Sequence, residues 1–246
     1  MPDVLNAQDL VKHFDRVVAV DGVNFSVGAG EVVGLLGPNG AGKTTTLRML
    51  AGILTPTSGQ VLVNGTDLHT QALQARRRIG FLSGDTQLYQ RLSPREVLRY
   101  FGELYSLERE VLEARIVRLV EELEMSSFAD RPCATLSSGQ KQRANIARAF
   151  LHAPDVIILD EPTTALDVIS GQFIVEAIRR ERTAGRAVLF STHIMGEAEY
   201  LCDRIYLMHQ GRIVDEGPLD DLLVRSGRTN LTDAFLHHVN AGAARS

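Results

Sequence analysis

Gly37-Pro38-Asn39-Gly40-Ala41-Gly42-Lys43-Thr44-Thr45 fits the phosphate-loop pattern G-x-x-x-x-G-K-[ST], and its flanks fit the same reading. Before it, Glu31-Val32-Val33-Gly34-Leu35-Leu36 reads as a buried strand. After it, residues 44–50 carry Leu47 and Leu50 at helical spacing. The physical logic is anion capture. Glycines let the backbone wrap a phosphate chain closely, N–H groups point inward, and the following helix presents its positive end. Lys43 supplies a mobile full charge for the β- and γ-phosphates, and the Thr44 hydroxyl can ligate Mg²⁺. The bland alternative is a glycine-rich turn that binds nothing, but it does not call for Lys and Thr in this register.

Composition sets outer bounds. A chain of 246 residues is near the size at which a single core stops growing, which predicts one domain. The net charge of −4 gives no electrostatic case for nucleic acid as main ligand. No apolar run approaches bilayer length, and Met1-Pro2-Asp3-Val4 does not resemble a secretion signal, so a membrane role is expected to come through a partner. Cys133 and Cys202 are far apart and form no C-x-x-C pair, which predicts neither disulfide nor zinc and points to a reducing cytosol.

Working outward, residues 4–27 read as β structure, with Val23, Phe25 and Val27 alternating and Asp21-Gly22 as a turn signal. Phe14, between Lys12-His13 and Asp15-Arg16, reads equally well as a ring that stacks on a nucleobase or as a half-buried core residue. A turn at residues 55–59 leads to a strand over 60–63 that ends at Asn64-Gly65. Arg76-Arg77-Arg78 reads as a solvated run before a strand over 79–82 and the loop Ser83-Gly84-Asp85-Thr86-Gln87. Helices follow. Ser93-Pro94-Arg95-Glu96 is a capping box with Pro at the first helical position, ahead of a stripe of Val97, Leu98, Phe101, Leu104 and Tyr105. A second amphipathic helix carries Leu112, Ile116, Leu119, Val120 and Leu123. The composition shift predicts a helical insertion over about residues 86–151 inside an α/β core made of residues 1–85 and 152–218, with a tail over 219–246.

The α/β pattern resumes with Val156-Ile157-Ile158-Leu159, an apolar run suited to a central parallel strand. A helix is predicted over 168–182 and strands over 187–191, 204–209 and 212–216. The tail carries a helix over 231–239 and a frayed end over 241–246. His237-His238 sit side by side with no acidic partner evident, so a solvated pair is expected rather than a metal site. A phosphate loop needs a cation acceptor and a group to activate water. Asp160 follows a buried strand, where doubly wound sheets place ligands, and is the expected Mg²⁺ partner. Glu161 beside it is the expected general base.

The segment Thr135-Leu136-Ser137-Ser138-Gly139-Gln140-Lys141-Gln142-Arg143 resembles the LSGGQ signature of ABC ATPases. Thr164-Ala165-Leu166-Asp167 is similar to that family's D-loop, and Thr192-His193 to its switch histidine. Residues 4–218 follow the family's order. The resemblance implies a RecA-like P-loop core with an N-terminal antiparallel β subdomain and an inserted helical subdomain. It also implies ATP and Mg²⁺ as ligands, with Phe14 stacking on adenine. Two copies would pair head to tail, the phosphate loop, Asp160 and His193 of one facing Ser137, Ser138, Gly139 and Gln140 of the other, with Asp167 bridging between them. Such a cage would stabilise charge from both sides. The segment from residue 80 to 105 resembles the ABC-2 exporter branch and within it is most similar to sodium-efflux ATPase subunits, which dock on a separately encoded permease at the cytoplasmic face of the membrane. Asn230-Leu231-Thr232-Asp233-Ala234-Phe235-Leu236 resembles the short C-terminal helix of the same branch.

The pattern departs from the family at three places. Ser138 replaces the first glycine of the signature pair, Phe14 replaces a commoner Tyr, and Gly84 stands where the family has a Gln that reaches Mg²⁺. Asp85 or Gln87 could substitute; Asp85 is the better hard-cation ligand. A soluble ABC ATPase of translation or repair would carry two such domains or a long coiled coil. A non-hydrolysing regulator would lack Glu161 or His193, and a GTPase would carry N-K-x-D; none of these features matches. Drugs, lipids or antibiotics remain alternatives to sodium as the exported species.

Overall fold

The computed structural model describes residues 3–164 and 166–243, without the side chains of 168, 169 and 240–243. A six-stranded sheet forms the centre, in the order β10-β9-β3-β8-β7-β6. Its strands are β3 (Val32–Leu36), β6 (Ile79–Leu82), β7 (Val156–Asp160), β8 (Ala187–Thr192), β9 (Arg204–His209) and β10 (Arg212–Gly217). All neighbours are parallel except the β9–β10 hairpin. β3, β7 and β8 are buried along their whole length, which explains their unbroken apolar runs. An antiparallel sheet, β2-β1-β4-β5, packs against one side; it comprises β1 (Asp3–Phe14), β2 (Val17–Gly28), β4 (Ser58–Val63) and β5 (Thr66–Asp67).

One apolar core joins this second sheet, α1 (Lys43–Leu50) and one face of the central sheet, through Leu5, Phe25, Leu47, Val61 and Ile158 among others. The opposite face packs against α3 (Pro94–Leu104), α4 (Arg109–Glu122), α5 (Ser138–Phe150) and α6 (Val168–Thr183). The helices α3 to α5 fall between β6 and β7 in the chain, as the composition shift predicts. Smaller elements complete the chain: α2 (Ala72–Arg76), α7 (Met195–Leu201), α8 (Leu219–Ser226) and α9 (Leu231–Ala243). Leu36, Leu207, Leu222, Leu231 and Phe235 form a third cluster that seats α8 and α9 on the sheet edge.

The expected local signals meet mixed outcomes. The Ser93 capping box forms with both of its hydrogen bonds. Asp21-Gly22 is not the hairpin turn. The chain reverses at Asp15-Arg16 instead, and Gly22 (φ 67°) occupies a bulge inside β2, where the register jumps between Leu10↔Val23 and Lys12↔Val20. A glycine at positive φ serves a bulge as readily as a turn. Leu104, placed in the apolar stripe of α3, is 61% exposed. The short α2, α7 and the whole of α8 escape the sequence reading, and α9 continues to Ala243, beyond the expected 239. Residues 244–246 of the expected frayed end lie outside the described residues. His238 does have an acidic neighbour: its Nε2 lies 2.9 Å from Asp215 on β10, an ion-pair contact rather than an aligned hydrogen bond.

Candidate functional site

The phosphate loop joins β3 to α1 at the carboxyl end of the central sheet, where open parallel sheets place ligands. Gly42 precedes the helix at φ 106°, and a Cβ there would meet the Ala19 carbonyl oxygen at 2.6 Å, so no other residue fits. The loop is tied to the β9–β10 turn through a hydrogen bond from Gly211 N–H to the Ala41 carbonyl. Asn39, Gly40, Ala41, Gly42, Lys43, Thr44 and Thr45 line a cleft of ≈ 410 Å³ together with Glu161.

Lys43 is 5% exposed, and its ammonium donates to the carbonyls of Gly37 (2.7 Å) and Pro38 (3.2 Å). It lies 3.7 Å from Glu161 Oε1. A buried cation needs such partners, because desolvation without compensation costs several kcal/mol, of order 3–5 when a partner is missing. Glu161 occupies the left-handed region at φ 48°, an uncommon conformation for a residue other than glycine and one that marks functional sites. Its Oε2 accepts from the Thr164 hydroxyl at 2.9 Å, and His193 Nδ1 lies 3.3 Å from Oε1. Partial burial pushes the Glu161 carboxyl up, but the Thr164 hydrogen bond, His193 and the Lys43 charge together hold it below the ordinary glutamate value. The group is therefore an ionised acceptor near neutrality.

Asp160 closes β7 at 3% exposure. Its Oδ1 accepts from the Ser191 hydroxyl at 2.6 Å, and the same hydroxyl accepts from the Glu161 N–H at 3.0 Å. Thr192, next along β8, donates from Oγ1 to Glu197 (2.9 Å) and accepts from the Ile194 N–H (3.0 Å), shaping the loop that carries His193.

The signature segment is placed apart from this cleft. Ser137 caps α5 in a full capping box with Gln140. Ser137 and Ser138 are exposed, whereas Gly139 is buried: a Cβ at Gly139 would sit 2.6 Å from Ser170 Oγ. Ser170 in turn donates from its N–H and its hydroxyl to Asp167, the N-cap of α6. Behind the signature, Gln142 reaches the Pro162 carbonyl (2.8 Å) and Asn145 the Thr86 carbonyl (3.2 Å), linking α5 to both loops beside the cleft.

Three residues considered from the sequence do not line the cleft. Asp85 does not reach the cleft: its side chain is 76% exposed and its carboxylate pairs with Arg48 at 2.8 Å, the nearest strong cation on the outer face of α1. Gln87 is also exposed. Phe14 is 46% exposed at the tip of β1 with Lys12 Nζ 5.2 Å above its ring, and the cleft wall on that side is made by Val17, Val18 and Ala19. Sequence reasoning placed Ser191 in a strand, Thr164 in the D-loop-like segment and Gln210-Gly211 in a turn, but missed the contacts of the first two with Asp160 and Glu161 and the place of the third in the cleft wall. Thr164 lay three residues from an expected base, a spacing at which a hydroxyl can reach back; Ser191 carried no such signal.

The site residues fit a nucleoside triphosphate with a divalent cation. The donor set offers a buried ammonium, a helix start and the hard oxygens of Thr44 and Asp160. Among the described residues no cluster of three or more His, Cys, Asp or Glu would cage a metal, and Mg²⁺ held jointly by one or two side chains and phosphate oxygens needs none. No helix among them is long and apolar enough to cross a membrane.

Comparison with known proteins agrees with this geometry. A family model described as "ABC transporter" matches residues 20–164. The chain is 40% identical over 227 residues to the ABC transporter ATP-binding protein NatA of Bacillus subtilis, covering 92% of each protein. It is 40% identical over 230 residues to the probable multidrug ABC transporter ATP-binding protein YbhF of Escherichia coli, covering 94% of this chain and 40% of that one. A solved structure of an ATP-binding subunit of an ABC transporter superposes with a TM-score of 0.89 at 31% identity, covering 96% of this chain and 99% of that one. With a phosphate loop, a buried aspartate followed by a half-buried glutamate and a separate signature helix in one such fold, the chain belongs to the ABC transporter family as an ATP-binding component.

Proposed function

We propose that the chain binds ATP with Mg²⁺ and hydrolyses it as one half of a head-to-tail pair, energising export through a separate membrane permease. The observation that carries this is the placement of Glu161, whose carboxylate is held by Thr164, His193 and Lys43 beside the buried Asp160. Lys43 and the α1 N-terminus hold the phosphates, while Thr44 and Asp160 hold the cation, which supplies charge neutralisation at the phosphate oxygens. Glu161 Oε1 accepts the proton of the attacking water, and His193 orients Oε1 from its other side. Exposed Ser137 and Ser138 do not line their own cleft, which suits donors offered to a second copy.

The partner surface has its own support. Tyr89 (53%), Tyr100 (44%) and Leu104 (61%) are exposed apolar side chains of the insertion, and Tyr89 and Tyr100 meet edge to face at 5.7 Å. An aromatic patch of this kind suits an apolar protein partner such as a permease loop. The resemblance to sodium-efflux subunits favours sodium as the exported species; the multidrug description of YbhF keeps an organic substrate as the second reading.

The deciding experiment is Glu161→Gln. Removing a general base costs on the order of 10²–10⁴-fold in rate. The variant is expected to stop turnover, retain ATP and trap a dimer visible by gel filtration. Normal hydrolysis by this variant would end the assignment of Glu161.

A further inference from the structure

The geometry points to Ser191 as a positioning residue for ATP hydrolysis, its buried hydroxyl orienting Asp160 and Glu161 together. Ser191 lies on β8 directly opposite Asp160 in the parallel register and is fully buried at 0% exposure. Its Oγ donates to Asp160 Oδ1 at 2.6 Å and accepts from the Glu161 N–H at 3.0 Å. A hydroxyl has one proton to give and lone pairs to receive with, so both bonds form at once and in one direction. The proton goes to Asp160 Oδ1. The lone pair faces the amide.

Each bond has a separate consequence. The short bond to Asp160 occupies one carboxylate oxygen and fixes the plane of the group, so the cation is met by a carboxylate of set orientation, as outer partners do for metal ligands generally. The bond from Glu161 N–H pins the backbone where it turns to φ 48°. Without it the half-buried amide loses its acceptor, and the left-handed residue loses a restraint that helps hold it in a sparsely populated conformation. The direction in which the Glu161 side chain leaves the strand end depends on that turn. Ser191 thus acts on both halves of the chemistry through neighbours and touches neither phosphate nor water itself. Alanine at this position would fill the same strand site, so packing alone does not call for an oxygen here.

This inference rests on the roles proposed above for Asp160 and Glu161, and the full chain tests the two separately. Steady-state ATPase is measured against ATP and against Mg²⁺ for wild type, Ser191→Ala and Ser191→Thr. Nucleotide affinity is measured with Mg²⁺ and with EDTA, and amide hydrogen exchange of Glu161 by NMR. Ser191→Ala is expected to lower kcat roughly tenfold or more and to raise the half-saturating Mg²⁺ by about threefold or more, as befits a lost hydrogen bond to a charged group. Its ATP affinity in EDTA stays at the wild-type value. The Glu161 amide, protected in wild type, exchanges faster in the variant, and Ser191→Thr restores most of kcat. Equal loss of ATP affinity with and without Mg²⁺, or turnover within about twofold of wild type at the same Mg²⁺ requirement, overturns the inference, the latter lying below the loss a charged-group bond implies. If Ser191→Ala does not fold, an unprotected Glu161 amide in wild type overturns it and a protected one with rescue by Thr upholds it. A wild-type protein that hydrolyses no ATP defeats the parent reading instead.

Discussion

Lys43 Nζ and Glu161 Oε1 face each other at 3.7 Å across the floor of the phosphate-loop cleft. The pair joins the start of α1 to the end of β7, two elements that the central sheet brings together from opposite halves of the chain. It keeps a buried cation accompanied and a carboxylate ionised. The Glu161 carboxylate is then in the charge state that proton abstraction requires.

Lys43→Ala is expected to weaken nucleotide binding itself. A unit charge about 4 Å from a phosphate contributes up to roughly 4 kcal/mol at an effective dielectric near 20. Titration with a fluorescent ATP analogue reads this directly. An unchanged Kd would remove Lys43 from phosphate contact. Because Lys43 is also one of the groups that hold the Glu161 carboxyl low, the acid limb of any residual turnover should move to higher pH in the variant.

His152 gives the fold a pH dependence of its own. The ring stacks on Tyr105 with centroids 3.9 Å apart, and Nε2 is 3.1 Å from the Ile79 carbonyl, which selects the tautomer that donates there. Burial pushes its pKa down from 6.5 to about 4, outweighing that hydrogen bond. Between those two values the unfolded chain binds more protons than the folded one, so stability falls as pH drops through this window and is fully present above it. The loss approaches about 3 kcal/mol by pH 4. Urea unfolding from pH 7 to pH 4 is the measurement. His152→Phe keeps a stacking ring and removes the titration, so its stability should decline less steeply over the same range. Parallel declines would assign the effect to other groups.

Asp85 is expected to matter little to the cation. Its carboxylate meets Arg48 on the outer side of α1, and both partners are substantially exposed. Asp85→Ala should leave the half-saturating Mg²⁺ of the ATPase unchanged and cost no more than about 1 kcal/mol of stability, the range of an exposed ion pair. Arg48→Ala should match it in stability. Gly84 is the better-placed position, since a Cβ there meets only the Asp160 carbonyl oxygen, at 3.6 Å, an ordinary contact. A clear rise in the Mg²⁺ requirement of Asp85→Ala would return that carboxylate to the metal.

Much of this site is legible in the chain because its parts are local. The phosphate loop, Asp160-Glu161, the Ser137–Gln140 cap and Thr192-His193 are short segments whose spacing sets their backbone chemistry before anything packs. The parallel strands are legible for a related reason. Burial on both faces demands unbroken apolar runs such as Val156-Ile157-Ile158-Leu159, and few other settings permit them. Asp21-Gly22 shows the limit of local signals, since a dipeptide with its glycine at positive φ serves a hairpin turn or a strand bulge, and only the pairing of β1 with β2 decides between them.

The sequence by itself determined the family, the buried parallel strands and the phosphate-loop pattern, because these depend on chemistry within a few residues. Tertiary structure alone decided which side chains meet across distance. Ser191 reaches Asp160 through the register of β7 with β8, His238 finds Asp215 because α9 folds back on β10, and Asp85 is drawn to Arg48 rather than to the cleft. Through-space partners of a charge or hydroxyl are set by strand register and helix docking, and both arise from the summed burial of many apolar residues rather than from any one motif.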